Sequence, residues 1–133
     1  MNTQTAIAAP AILAVDDDVH MRRLIDRSLR SEGYVMQICN SAESALAALQ
    51  SGAVFSLLLL DVQMIGETGL QLARRVRDGE AGEMNRTLPI VFVTGEDDAR
   101  TYEESFDVGA QHYLTKPFTQ EGLIDIVSSV LHG

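Results

Sequence analysis

FSLLLLDVQM, residues 55–64, decides the fold: four consecutive leucines run straight into one aspartate, Asp61. An apolar run of this length between the turn-formers Ser51-Gly52 and Gly66 reads as a strand covered on both faces, the condition of a central strand in a parallel sheet. Asp61 is then delivered to the carboxyl end of that strand, the edge at which open parallel α/β sheets bind ligands. Taken alone, it is also the kind of residue that caps a helix following a strand.

Upstream, Ala11 to Val15 forms a short apolar strand that ends in Asp16-Asp17-Asp18. Met21, Leu24, Ile25, Ser28 and Leu29 follow at helical spacing with Arg22, Arg23, Asp26, Arg27 and Arg30 on the opposite, solvated side, and Gly33 closes that helix. Tyr34 to Cys39 is a second strand. Asn40, with Glu43 three residues on, suggests an N-cap for a helix lined by Ala42, Ala45, Leu46 and Leu49 and stopped by Gly52.

Downstream, Gly69 to Arg77 presents Leu70, Ala73 and Val76 from a third helix, and the polar loop DGEAGEMNRT leads to the strand PIVFVT, with Pro89 where a missing donor costs least. Glu96, Asp97 and Asp98 complement the dipole at the start of a fourth helix whose apolar face is Ala99, Tyr102 and Phe106. Gly109-Ala110 ends it. His112 to Leu114 is a brief fifth strand running into Thr115-Lys116-Pro117. Thr119 caps a last helix carrying Leu123, Ile126, Val127, Val130 and Leu131. Five βα units with short connections imply a flavodoxin-like α/β fold: a five-stranded parallel sheet of order 2-1-3-4-5 with helices on both faces. Residues 1–10 are expected to be a disordered tail and 11–133 a single domain.

Composition narrows the function. A net charge of −9 argues against nucleic-acid binding and against anionic membranes, because both need a basic surface. The single cysteine, Cys39, excludes an internal disulfide and suits a reducing, cytoplasmic setting, where it is expected to be a small buried hydrophobe. No apolar run approaches a membrane span, and the first ten residues lack the pattern of a signal peptide.

The strand order gathers Asp16 and Asp17, Asp61, Thr94 and Lys116 at one sheet edge. Three carboxylates there repel one another unless a cation neutralises them, and an all-oxygen ligand set describes Mg2+. Lys116 adds a compact positive charge and Thr94 a hydroxyl. Together they suggest phosphoryl chemistry, with Asp61 at mid-sheet as the carboxylate nucleophile and Asp16 and Asp17 as metal holders.

The motifs ILAVDD followed by HMRR, LLLLDVQM with Gly69 eight residues after Asp61, PIVFVTG, and GAQHYLTKPFT span Ile12 to Leu131. In this order they resemble the receiver domain of the bacterial two-component response-regulator family, most of all its stand-alone chemotaxis type, and the 2-1-3-4-5 order is typical of that family. The resemblance implies that Asp61 accepts a phosphoryl group from a histidine kinase or histidine phosphotransfer protein. It implies Mg2+ held by Asp17, Asp61 and the backbone carbonyl of Gln63, with Asp16 acting mainly through water. Lys116 and Thr94 would contact the phosphoryl oxygens, and Tyr113 would change rotamer with Thr94. A phosphoryl group adds roughly −1.5 to −2 charge and draws in the donors that reach it. The output would be binding of a downstream protein through the face of the fourth helix, fifth strand and fifth helix.

Departures from the family pattern are visible. Ile65 stands where proline is common, four residues after Asp61, and Gly66-Glu67-Thr68 replaces the usual methionine and acidic residue, with Gly69 expected to supply the turn. Gln63 and Glu96 occupy positions that tune phosphoryl lifetime in the family. Gln111-His112 replaces the acidic pair of dimerising, DNA-binding receivers, so a monomer acting by protein binding is expected. Two other readings remain at this stage: a haloacid-dehalogenase-like phosphatase, whose signature disagrees at His20, and an unphosphorylated adaptor, which has no need of Asp16, Asp17, Asp61, Thr94 and Lys116 together.

Overall fold

In the computed structural model, residues 9–95 and 99–132 are described, with side chains left aside at 99–101. The strands are β1 (Ala11–Val15), β2 (Val35–Cys39), β3 (Leu57–Asp61), β4 (Ile90–Thr94) and β5 (His112–Thr115). They alternate with helices α1 (Val19–Arg30), α2 (Ala42–Gln50), α3 (Gly69–Arg77), α4 (Ala99–Asp107) and α5 (Gln120–His132). The sheet is parallel throughout with order β2-β1-β3-β4-β5, as the alternation implies. Residues 1–8 of the expected tail lie outside the described residues, as do Glu96, Asp97 and Asp98.

The leucine run explains the central position of β3. Strand side chains alternate between faces, so Leu58 and Leu60 enter the core beneath α2 and α3 while Leu57 and Leu59 enter the one beneath α1 and α5. All four are essentially inaccessible to solvent. At roughly 1.5–3 kcal/mol for each fully buried leucine, a strand of this sequence gains most where both faces are covered.

Some local expectations change. The N-cap of α2 is Ser41, not Asn40: Ser41 is extended and its hydroxyl accepts from the Ser44 N–H at 3.1 Å. Asn40 lies one residue too early for a helix that starts at Ala42. Leu24 is partly exposed, and α1 buries Ile25, Ser28 and Leu29 instead. Tyr102 and Phe106 of α4 are about half exposed rather than in the core. The buried α4 residue between them is Ser105, whose hydroxyl donates to the Tyr102 carbonyl at 2.6 Å, so a satisfied polar group faces the sheet. The polar loop after α3 holds a 3-10 turn, Glu83–Thr87, pinned by buried Asn85, whose amide donates to the carbonyls of Leu49 and Ala81. Thr119 does cap α5, accepting from Gly122 at 2.9 Å. Among the described residues, no helix is long and apolar enough to cross a membrane.

Candidate functional site

Parallel register carries the site residues to one level. Val15 pairs with Leu60, which sets Asp16, the first residue beyond β1, beside Asp61, the last residue of β3. Thr94 ends β4, one step past the Asp61–Val93 pair, and is fully buried. It pairs with Thr115, and its carbonyl accepts the Lys116 N–H at 2.6 Å. A cis Lys116–Pro117 peptide follows.

The Lys116 ammonium lies 3.0 Å from Asp16 Oδ2 and 3.6 Å from Asp61 Oδ2. Both carboxylates are buried, whereas Asp17 is exposed at the mouth. Each of the three aspartates nevertheless offers an oxygen within 4.8 Å of the others. Backbone amides orient them: Asp18 donates to Asp16 Oδ1 at 2.9 Å, Gln63 to Asp61 Oδ1 at 3.1 Å, and Ile65 to Asp17 Oδ2 at 3.0 Å. The third aspartate of the triplet does a different job. Asp18 is the N-cap of α1 and accepts from the His20 N–H at 2.8 Å, a hydrogen bond that holds its carboxyl below the usual range.

Burial, and then the neighbouring Asp16 charge, push the Asp61 carboxyl up to about 6, against the pull of Lys116 and of the Gln63 N–H. Burial works against the Lys116 ammonium, but its hydrogen bond with Asp16 and the charges of Asp61 and Asp16 outweigh that and leave it raised. Three ionised carboxylates against one ammonium leave two net negative charges in a largely buried cleft. That balance and an all-oxygen donor set fit a divalent hard cation such as Mg2+.

The remaining candidates divide. Gln63 is exposed, and a Cβ added to Gly95 would lie 3.7 Å from its Oε1, so its side chain lies along the β4 rim. Tyr113 is half-buried and packs edge-to-face on Tyr102, ring centroids 5.2 Å apart, while Tyr102 in turn meets Phe106 at 4.8 Å. Glu96 lies outside the described residues.

Two residues have roles that pattern reading did not assign. Arg22, counted with the solvated face of α1, reaches back to donate to the Asp16 carbonyl at 3.0 Å. Gly69 does not supply the turn after β3; Gly66 does, at φ 86°. Gly69 opens α3 hard against the end of β3, its N–H donating to the Val62 carbonyl at 3.0 Å, and a Cβ there would run into the Asp61 carbonyl. No local pattern separates these two demands for glycine, because the second arises from packing.

The family model for the response regulator receiver domain matches residues 12–128. The chain belongs to the response regulator receiver family. This receiver is similar to the chemotaxis protein CheY4 of Vibrio cholerae, with 31% identity and a TM-score of 0.85 over 93% of this chain and 100% of that one. It is equally similar to a putative response regulator from Chloroflexus aurantiacus, with 31% identity and a TM-score of 0.85 over 94% and 99% of the two chains. Among curated proteins, Protein PetR of Rhodobacter capsulatus is 35% identical over 92% of this receiver and 48% of its own length. Regulatory protein VanR of Enterococcus faecium is 31% identical over 90% and 49%. The receiver thus spans about half the length of the curated relatives it matches. Receivers are phosphoacceptor modules of two-component signalling whose partners are histidine kinases, and the Asp16, Asp17 and Asp61 triad is of the kind that binds Mg2+ in them. The family match sets aside the dehalogenase-like reading.

Proposed function

We propose that Asp61 accepts a phosphoryl group from the phosphohistidine of a histidine kinase or histidine phosphotransfer protein and that the phosphorylated chain signals by binding a downstream protein. An Asp61 oxygen attacks phosphorus, the P–N bond breaks, and the imidazole leaves with the electron pair. The observation that carries this reading is the Lys116 ammonium between Asp16 and Asp61, 3.0 and 3.6 Å from their oxygens. Asp16 is committed at both oxygens, to Asp18 N–H and to Lys116, which favours Asp61 as the nucleophile. Lys116 then follows the charge as it moves outward onto the phosphoryl oxygens, and Thr94 supplies a hydroxyl beside them.

Asp17, Asp61 and the Gln63 carbonyl, with Asp16 through water, would hold Mg2+, which when bound supplies positive charge to the phosphoryl oxygens. Gln63 and, by its family position, Glu96 tune how long the phosphoryl group persists. Tyr113 links the site to the surface: its contact with Tyr102 joins β5 to α4, and the half-exposed Tyr102 and Phe106 give the α4, β5 and α5 face an aromatic patch for a partner. Acetyl phosphate with Mg2+ should label the wild-type chain once, at Asp61, and should fail to label Asp61→Asn. Undiminished labelling of that variant, located at the same cleft, would refute the assignment, and turnover of an external phosphomonoester would favour an enzyme instead.

A further inference from the structure

We infer that the backbone N–H of Ile65 positions Asp17 for the cation and thereby sets this chain's affinity for Mg2+. The inference rests on the reading of Asp16, Asp17 and Asp61 as a cation site.

Asp17 is the exposed member of the triad, at the mouth of a cleft whose other two carboxylates are buried. With those charges beside it and water in front, its side chain would turn outward unless something holds it. The Ile65 N–H does so, donating to Asp17 Oδ2 at 3.0 Å across 48 residues of sequence, and this bond ties the loop after β1 to the loop after β3. A carboxylate that accepts through one oxygen keeps the other for an ion. The bond therefore leaves Asp17 able to ligate while keeping its oxygen within 4.8 Å of those of Asp16 and Asp61.

The rest of Ile65 does little. Ile65 is 91% exposed, so the residue contributes its amide rather than packing. A proline at this position has no N–H to offer. Hydrogen bonds that orient metal ligands are typically worth about 10- to 100-fold in metal affinity, and one fixing the sole exposed ligand of the triad belongs in that range.

The test compares Mg2+ binding by calorimetry in the wild-type chain, Ile65→Pro and Ile65→Ala. The Mg2+ dissociation constant should rise about tenfold in Ile65→Pro and stay near the wild-type value in Ile65→Ala, which keeps the N–H. Wild-type affinity in a folded Ile65→Pro, or equal weakening in both variants, overturns the inference. A wild-type chain that does not bind Mg2+ overturns the cation-site reading itself. Amide hydrogen exchange at Ile65 needs no metal and no proline: it should be several-fold slower in the wild-type chain than in Asp17→Ala. Equal exchange rates would show that the bond does not form, whatever the state of the proline variant.

Discussion

Lys116 donates to Asp16 at 3.0 Å, although the two residues stand 100 positions apart in sequence and follow strands β5 and β1, which β3 and β4 separate in the sheet. Asp16 is 1% exposed, so the ammonium is what makes its burial tolerable.

Lys116→Ala should therefore destabilise the metal-free chain by about 3 kcal/mol, because it strands a buried carboxylate. Saturating Mg2+ should restore part of the loss, since a divalent ion offers the same compensation. Urea denaturation with and without Mg2+ measures both. In the same variant, phosphorylation should no longer alter hydrogen exchange around Tyr102 and Tyr113. A phosphorylation response there equal to that of the wild type would remove Lys116 from the coupling.

Asp61 gives the opposite sign. Its carboxyl is raised to about 6 from an ordinary 3.8, so the native state holds a proton that the unfolded chain has lost between those values. The resulting stability is fully present below about pH 4 and is lost as the pH rises through about 6. At pH 7 without metal, Asp61→Asn should thus be more stable than the wild type, by about 1–2 kcal/mol once screening and Lys116 are allowed for. The advantage should shrink toward pH 4. Thermal denaturation across this range would show it, and a less stable Asn variant at pH 7 would contradict it.

Mg2+ affinity should fall as the pH drops from 7 to 5, because protonation of Asp61 removes a ligand charge within this window. Calorimetric titration at several pH values measures the trend. A pH-independent dissociation constant would place Asp61 outside the ligand set.

Gly69→Ala should slow labelling of Asp61 by acetyl phosphate and cost about 1–3 kcal/mol, since the added carbon must push the α3 start away from the Asp61 carbonyl. Gly66→Ala should cost about 1 kcal/mol through its positive φ and disturb labelling less. Equal labelling by Gly69→Ala and the wild type would show that the helix start can shift without moving the acceptor.

Arg77 donates to four backbone carbonyls, those of Arg86, Leu88, Val108 and Gly109, and so joins the end of α3 to the entry of β4 and the exit of α4. Arg77→Lys should lose about 2 kcal/mol, because an ammonium cannot reproduce the planar fork. Chemical denaturation of Arg77→Lys beside Arg77→Ala measures this. Full rescue by lysine would reduce the role of Arg77 to its charge.

The strand order, the central place of β3 and the gathering of Asp16, Asp17, Asp61, Thr94 and Lys116 at one edge were legible in the chain itself. Alternation of apolar runs with helical spacing is a local signal, and parallel topology then sends every strand's carboxyl end the same way. Only the tertiary structure decided which of three adjacent aspartates caps a helix, that Asp17 is held by Ile65, that Gly69 serves close approach and Gly66 the turn, and that Tyr102 and Phe106 face outward. The Asp17–Ile65 bond spans 48 residues, the outward turn of Tyr102 and Phe106 depends on how α4 docks, and the roles of Asp18, Gly66 and Gly69 depend on where each helix starts and how closely α3 approaches the end of β3. Spacing along a chain records the period of an element, whereas the angle at which it docks is set by everything packed against it.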